Sequence, residues 1–207
     1  MRWIFSAENP VMQYVIKAFD CMCLSFIWML FSVPVITAGA STTALYACIY
    51  HYIRKEEGHL WRTFWDAFRE NLKRSTVLWL LVILMAALLA VDVLVFRTMA
   101  INGDPLGRLY WVILLLCCVA ITWVAFMFAY AARFQGRARD VLRVSFMLMA
   151  AHPFKAMCIF AIVAAGILLG FMAPGLLTIL PALICLLVSM ITENIFASHL
   201  NREDEQS

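Results

Sequence analysis

Four long stretches of this chain carry almost no charge, and each is long enough to cross a lipid bilayer. Cys21–Ile53, Leu109–Ala132 and Ala156–Thr192 contain no Asp, Glu, Lys or Arg, and Ser75–Phe96 contains only Asp92. Because the hydrocarbon core is about 30 Å thick, a helix needs roughly 20 apolar residues to cross it. With 65% apolar and 14% charged residues, the sequence predicts an all-α, polytopic helical membrane protein.

Two of these stretches are too long for one helix. Ala156–Thr192 is interrupted at Pro174, which lacks a backbone donor, so two helices joined by a tight turn are predicted. Cys21–Ile53 is interrupted at Pro34 and again near Gly39, and its second arm is either a full span or a re-entrant half-helix. We predict six spans as three hairpins, with five as the alternative, in one domain of residues 1–200 before a polar tail of 201–207. The spans lie near 15–36, 38–54, 75–96, 109–132, 155–173 and 176–197.

The distribution of basic residues predicts the orientation. Arg54–Arg74 holds six Lys or Arg residues and Arg133–Lys155 holds five, whereas the loop Arg97–Arg108 holds two. Since cytoplasmic loops of membrane proteins carry an excess of Lys and Arg, both basic segments are expected in the cytoplasm. With six spans, both termini are cytoplasmic as well.

Both basic segments contain an amphipathic helical pattern, which predicts two cytoplasmic helices at the membrane interface. Leu60–Lys73 combines aromatic residues on one face with charged residues on the other, and Arg137–Phe146 is a weaker copy. Such helices either lead along the membrane surface into the next span or form a docking surface for a partner, and the two interpretations are compatible. The candidate partner-facing or lipid-facing residues are Trp61, Arg62, Phe64, Trp65, Phe68 and Arg69.

A run of small and hydroxyl residues at membrane depth, Thr37–Ala44, is the candidate binding segment. Broken helices of this kind build substrate sites in secondary transporters, and small residues also allow plain close packing of helices. Asp92 is either a functional carboxylate or an interfacial charge near the outer end of its helix. The candidate binding residues are Pro34, Thr37, Gly39, Ser41, Thr42 and Asp92.

The remaining polar residues and the cysteines do not indicate a catalytic, metal or cofactor site. Glu193 and Asn194 lie at the inner end of the last predicted span, where we expect an interfacial position. The seven Cys residues form no CxxC motif and are interpreted as packing residues. Because the sequence contains no metal-ligand spacing, nucleophile elbow or phosphate-binding loop, we expect neither an enzyme nor a metal or cofactor site. No nucleic-acid partner is expected.

Two segments resemble the YesL-like family of small bacterial membrane proteins, which carries a domain of unknown function. The first is Ser32–Tyr46, SVPVITAGASTTALY, in which Pro34, Thr37, Gly39 and Ser41 match the family's run at the end of the first span. The second is Phe64–Trp79, FWDAFRENLKRSTVLW, which resembles the family's aromatic and basic segment. The resemblance covers most of residues 1–100 and is limited to topology after that.

The resemblance implies a role beside carbohydrate ABC importers in the bacterial cytoplasmic membrane, since members accompany such importers in gene clusters. It therefore favours a non-catalytic accessory protein that contacts the bilayer and an importer permease, with self-association left open. Neither basic segment contains the EAA-x₃-G coupling motif of a permease, so the chain itself is not expected to be one. The alternatives are a small autonomous transporter or channel with its site at 34–43 and, less favoured, an intramembrane enzyme or sensor.

Overall fold

The computed structural model describes residues 10–54, 59–134 and 136–204, and every regular element among them is helical. The all-α prediction is therefore confirmed. Predictions for residues 1–9, 55–58, 135 and 205–207 lie outside this part of the chain. The α-helices are α1 (Pro10–Ser32), α2 (Ala38–Cys48), α3 (Leu60–Ile101), α4 (Leu109–Arg133), α5 (Ala138–Ala151), α6 (Pro153–Met172) and α7 (Leu180–Asp204).

Short 3-10 turns join several of these helices where the sequence contains proline. Val35–Thr37 follows Pro34 between α1 and α2, Pro105–Arg108 leads into α4, and Pro174–Thr178 separates α6 from α7. Proline cannot donate a backbone hydrogen bond, so it ends one helix and allows the next to start at a new angle. The interruptions expected at Pro34 and Pro174 are therefore present in the structure.

Helix α2 lies at the centre of the molecule. Nine of its eleven residues are buried, and it packs against α1, α3, α4 and α7. A helix that is apolar or small on every side can be surrounded in this way, whereas an amphipathic helix keeps one face outside. The chain continues from α2 into one π-helical segment, Ile49–Arg54.

Helix α3 differs from the sequence prediction. A separate interfacial helix was expected at Leu60–Lys73, followed by a span near 75–96, but a single helix of 42 residues covers both. At 1.5 Å per residue its length is about 63 Å, roughly twice the hydrocarbon thickness. No Pro or Gly interrupts residues 60–101, so nothing in the local sequence ends the helix between the two parts.

Among the described residues, three helical segments are long and apolar enough to cross a membrane: Leu60–Ile101, Pro105–Arg133 and Pro153–Met172. A shorter apolar segment, Leu180–Phe196, lies within α7. Helix α7 continues to Asp204, into the part that was expected to be a polar tail. The protein thus has the helical membrane architecture expected from its charge-free stretches, and six spans stay a prediction.

Candidate functional site

The candidate binding segment includes a close contact between two helices. Gly39 faces α3, and a Cβ atom added to it would lie 2.6 Å from Trp79 Cβ and 2.7 Å from the carbonyl oxygen of Ser75. Atoms do not approach so closely, and one of these two belongs to the neighbouring backbone. Glycine at this position therefore allows α2 and α3 to meet backbone to backbone, as small residues do in membrane helix pairs.

The hydroxyl groups of the same segment are bonded within the protein. Thr43 Oγ1 lies 3.1 Å from Ser75 Oγ on α3, and Ser41 Oγ lies 2.7 Å from Ser32 Oγ on α1. Thr42 accepts a hydrogen bond from Trp28 Nε1 at 3.2 Å. These contacts join α2 to both of its neighbours in the chain.

The turn before α2 is held in the same way. The Thr37 hydroxyl lies 2.8 Å from the carbonyl oxygen of Phe31 and donates to it. Trp79 Nε1 donates to the carbonyl oxygen of Val35 at 2.6 Å, while Pro34 is exposed. The geometry of 34–43 favours the close-packing interpretation, because its polar groups already serve to position α2.

Asp92 is not brought to this segment. It follows Trp79 by 13 residues on α3, which corresponds to about 20 Å along the helix axis. Its side chain is partly exposed. The structure thus separates Asp92 from the other five candidate binding residues.

Glu193, for which an interfacial position was expected, is buried in an ion pair with a partly exposed Arg. Glu193 is only 7% exposed, and its carboxylate pairs with Arg133 at the end of α4. Tyr46 of α2 donates a hydrogen bond to Glu193 Oε1 at 3.2 Å and lies 2.5 Å from Thr192 Oγ1. The Arg133 guanidinium also lies over the ring of Tyr50, 4.6 Å from its centre. The interfacial depth of Glu193 stays a prediction, but its carboxylate is buried in the protein because two helices distant in sequence cover it.

Arg74 joins the two basic segments. Its guanidinium donates to the carbonyl oxygens of Ala131, Phe134 and Gly136, with distances of 2.8 Å to Phe134 and 3.2 Å to Gly136. It also donates to Asn71 Oδ1 at 2.6 Å. The carbonyl groups at the C-terminal end of a helix lack intrahelical partners, so Arg74 satisfies them for α4. Sequence reasoning missed this role, since only the count of basic residues was used.

The expected partner-facing surface divides into two sets. Phe64 and Phe68 are 1% and 7% exposed, because Phe31 of α1 packs against them at ring-centre distances of 5.7 and 5.3 Å. Their assignment to the surface is wrong. Trp61 remains exposed, with its ring stacked on Trp65.

Two Arg side chains complete the surface that remains. Arg69 lies over the Trp65 ring, 4.7 Å from its centre, and exposed Arg62 lies 3.8 Å from Asp66. We call Trp61, Arg62, Trp65 and Arg69 the aromatic–basic face. No group of three or more His, Cys, Asp or Glu side chains that could hold a metal occurs within 10–54, 59–134 and 136–204.

One family of known proteins matches this chain. No curated protein and no solved structure matches it. Residues 21–93 match the family described as "Protein of unknown function, DUF624". That segment contains α2, its contact with α3 and the aromatic–basic face. The resemblance inferred from Ser32–Tyr46 and Phe64–Trp79 is thus confirmed, because residues 21–93 match the domain family of YesL-like proteins.

Proposed function

We propose that this chain is a non-catalytic integral membrane accessory protein of a carbohydrate ABC import system, and that it docks on the importer's permease. The family resemblance suggests the setting. In this proposal the protein lies in the bacterial cytoplasmic membrane with its basic end and both termini in the cytoplasm, as the excess of Lys and Arg favours.

The observation that carries the proposal is the aromatic–basic face at the start of α3. Trp61 is 57% exposed although it is a large aromatic side chain, and the Arg69 guanidinium is held over the neighbouring Trp65 ring. Exposed Trp and Arg are the residue types that contribute most binding energy at protein interfaces. A stacked and therefore ordered set loses little conformational entropy when a partner binds.

A second exposed surface at the same end of the molecule supports docking. Helix α5 exposes Arg139 and Arg143 together with the apolar side chains of Phe146 and Met147. Since Arg74 ties the end of α4 to α3, the helix that follows α4 starts beside the basic part of α3. A permease would meet both segments as one surface.

We infer a non-catalytic role because the buried polar groups named above already bond to other groups of the protein. Thr43 and Ser41 bond to neighbouring helices, and the Glu193 carboxylate is engaged by Arg133 and Tyr46. A general base or nucleophile has to reach a substrate atom. Groups that hold helices together are poorly placed to do so.

A pull-down from native membranes in mild detergent tests the proposal. The tagged wild-type protein is expected to co-purify with a carbohydrate permease subunit in a fixed ratio. The double variant Trp61→Ala/Arg69→Ala should lose the permease. The matched control is Trp111→Ala/Arg108→Ala, which removes an exposed Trp and an exposed Arg from the opposite end of the molecule.

The two ways of failing are distinct. Solitary wild-type protein under conditions that preserve a known importer complex would contradict the accessory role. If both double variants recover equal amounts of permease, the accessory role still holds, but the aromatic–basic face is not the surface that contacts the permease.

A further inference from the structure

A large cavity opens between the helices on one side of α2. Its volume is about 1340 Å³, and its walls come from α3 and α4 on one side and from α6 and α7 on the other. Thr42, Leu45 and Tyr46 of α2 lie at one end of it. This volume exceeds the range of roughly 300–1,000 Å³ that is typical of sites for drug-sized ligands.

The lining of the cavity is apolar, and the hydroxyl and indole groups on it are already bonded. Trp28 and Thr42 bond to each other, Tyr46 bonds to Glu193, and the Trp79 indole donates to a backbone carbonyl. A sugar would have to bury several hydroxyl groups here without partners, which is unfavourable because each would lose its hydrogen bonds to water. The lining therefore selects an apolar occupant.

The length of the cavity exceeds the hydrocarbon thickness of one bilayer leaflet. Its wall on α3 extends from Trp79 to Leu94, 15 residues that rise about 22 Å along the helix. One leaflet contributes about half of a hydrocarbon core that is about 30 Å thick. The cavity is therefore deep enough to accommodate an acyl chain that spans one leaflet and enters from one side.

The mouth of the cavity faces the surroundings of the protein. Leu94, Ile167 and Phe171 line it and are also exposed, Phe171 to 82%. Leu94 lies in the last third of α3 and Phe171 near the end of α6, so the opening is at the end of the molecule opposite to the basic segments. Apolar side chains at such an opening are suited to meet lipid chains rather than water.

We propose that this cavity is a specific site for the acyl chains of one membrane phospholipid molecule, which enters between α3 and α6 and reaches the floor formed by Thr42, Leu45 and Tyr46. The lipid is held by van der Waals packing of its chains against the apolar lining, because chains that come from the bilayer are already out of water, and not by its headgroup. The proposal does not rest on the accessory role, because it uses a different surface at the other end of the helices.

Filling the cavity tests the site. Ala86 and Ala90 line the wall one helical turn apart and are exposed, so Ala86→Phe/Ala90→Phe places two rings in the space without displacing a packed side chain. The matched control is Ala87→Phe/Val91→Phe, one residue further along the same helix, where both positions are exposed and neither lines the cavity.

Native mass spectrometry reads the result. Each purified protein is incubated with dioleoyl phosphatidylglycerol in detergent, and loosely bound lipid is removed by exchange into delipidating detergent. The wild-type protein and the control are expected to retain one phospholipid, and the filled variant is expected to retain at least tenfold less. Dioleoyl phosphatidylcholine should be retained equally well, since the site binds the chains.

A second pair of variants, on α4, keeps the test valid if the first filled variant fails to fold. Ile121→Trp fills the cavity from the opposite wall, and Val119→Trp is its exposed control outside the lining. Far-ultraviolet circular dichroism must show unchanged helix content for every variant that is scored. Equal lipid retention by filled and control variants in both pairs would overturn the proposal, as would wild-type protein without lipid.

The other occupant to consider is a helix of a partner protein. A photoreactive residue at position 120, on the cavity wall, should cross-link to phospholipid in native membranes. Cross-linking to a protein band instead would assign the cavity to a partner's helix and overturn the lipid site.

Discussion

Gly39→Ala is the sharpest test of the contact that positions α2. The added Cβ would lie 2.6 Å from Trp79 Cβ and 2.7 Å from the carbonyl oxygen of Ser75. Neither atom lies at the flexible end of a side chain, so no rotamer change relieves the overlap. The two helices must separate by several tenths of an ångström or more, and the hydrogen bond between Thr43 and Ser75, now 3.1 Å, must lengthen.

Three terms set the expected magnitude. Overpacking a close contact costs about 1–3 kcal/mol, and the backbone overlap places this case near about 3 kcal/mol. Loss of an interhelical hydrogen bond in a membrane protein costs about 0.6 kcal/mol. Replacing Gly by Ala in a helix returns about 1 kcal/mol of helix propensity. The free energy of unfolding should therefore fall by about 2–3 kcal/mol.

Reversible unfolding in mixed micelles, with sodium dodecyl sulfate as the denaturant and circular dichroism as the signal, measures this change. Gly175→Ala is the control, because a Cβ atom at that position would meet nothing within 4 Å, and it should change the free energy of unfolding by less than about 0.5 kcal/mol. If Gly39→Ala unfolds at the same denaturant concentration as Gly175→Ala, the close contact does not hold α2 and the reasoning is refuted.

Three further substitutions test other contacts by the same unfolding measurement. Glu193→Gln leaves the partly exposed Arg133 without its carboxylate and should lower the free energy of unfolding by about 2–3 kcal/mol. A loss below about 1 kcal/mol would show that the pair is solvated. Arg74→Lys should lower the free energy of unfolding by about 2 kcal/mol, because the Lys ammonium group lacks the planar guanidinium that donates to several carbonyl oxygens at once. An unchanged free energy of unfolding would contradict this. Gly166→Ala should lower the free energy of unfolding less than Gly39→Ala does, because the added Cβ meets the flexible end of the Ile184 side chain. A larger loss for Gly166→Ala would refute the distinction between side-chain and backbone contacts.

The helices could be predicted from the sequence because their signals are local. A charge-free run is visible without knowledge of its neighbours, and the interruption before α7 follows from Pro174 alone. The start of α5 near Arg137 was also visible, from a change of apolar spacing. These properties depend on residues within one helix or turn, which the sequence displays directly.

The contacts between helices were not predictable in this way. The pattern at Leu60–Lys73 correctly indicates an apolar face, but it is the same whether that face meets lipid, a partner or Phe31 of α1. The sequence places Glu193 near a span end but does not show that Arg133 and Tyr46 come to it. Its only signal was an acidic residue beside an apolar run, and that signal is shared by many exposed residues.

The position of Tyr46 gives the most informative link between these observations. Its side chain forms part of the cavity floor, while its hydroxyl bonds to Glu193 beside the Arg133 ion pair. Gly39, at the other end of α2, fixes that helix against α3. A rigid α2 therefore holds the floor of an apolar cavity and a buried ion pair in one fixed arrangement. This explains why a segment rich in small and hydroxyl residues lies at the centre of the fold: its side chains set where the surfaces at both ends are placed.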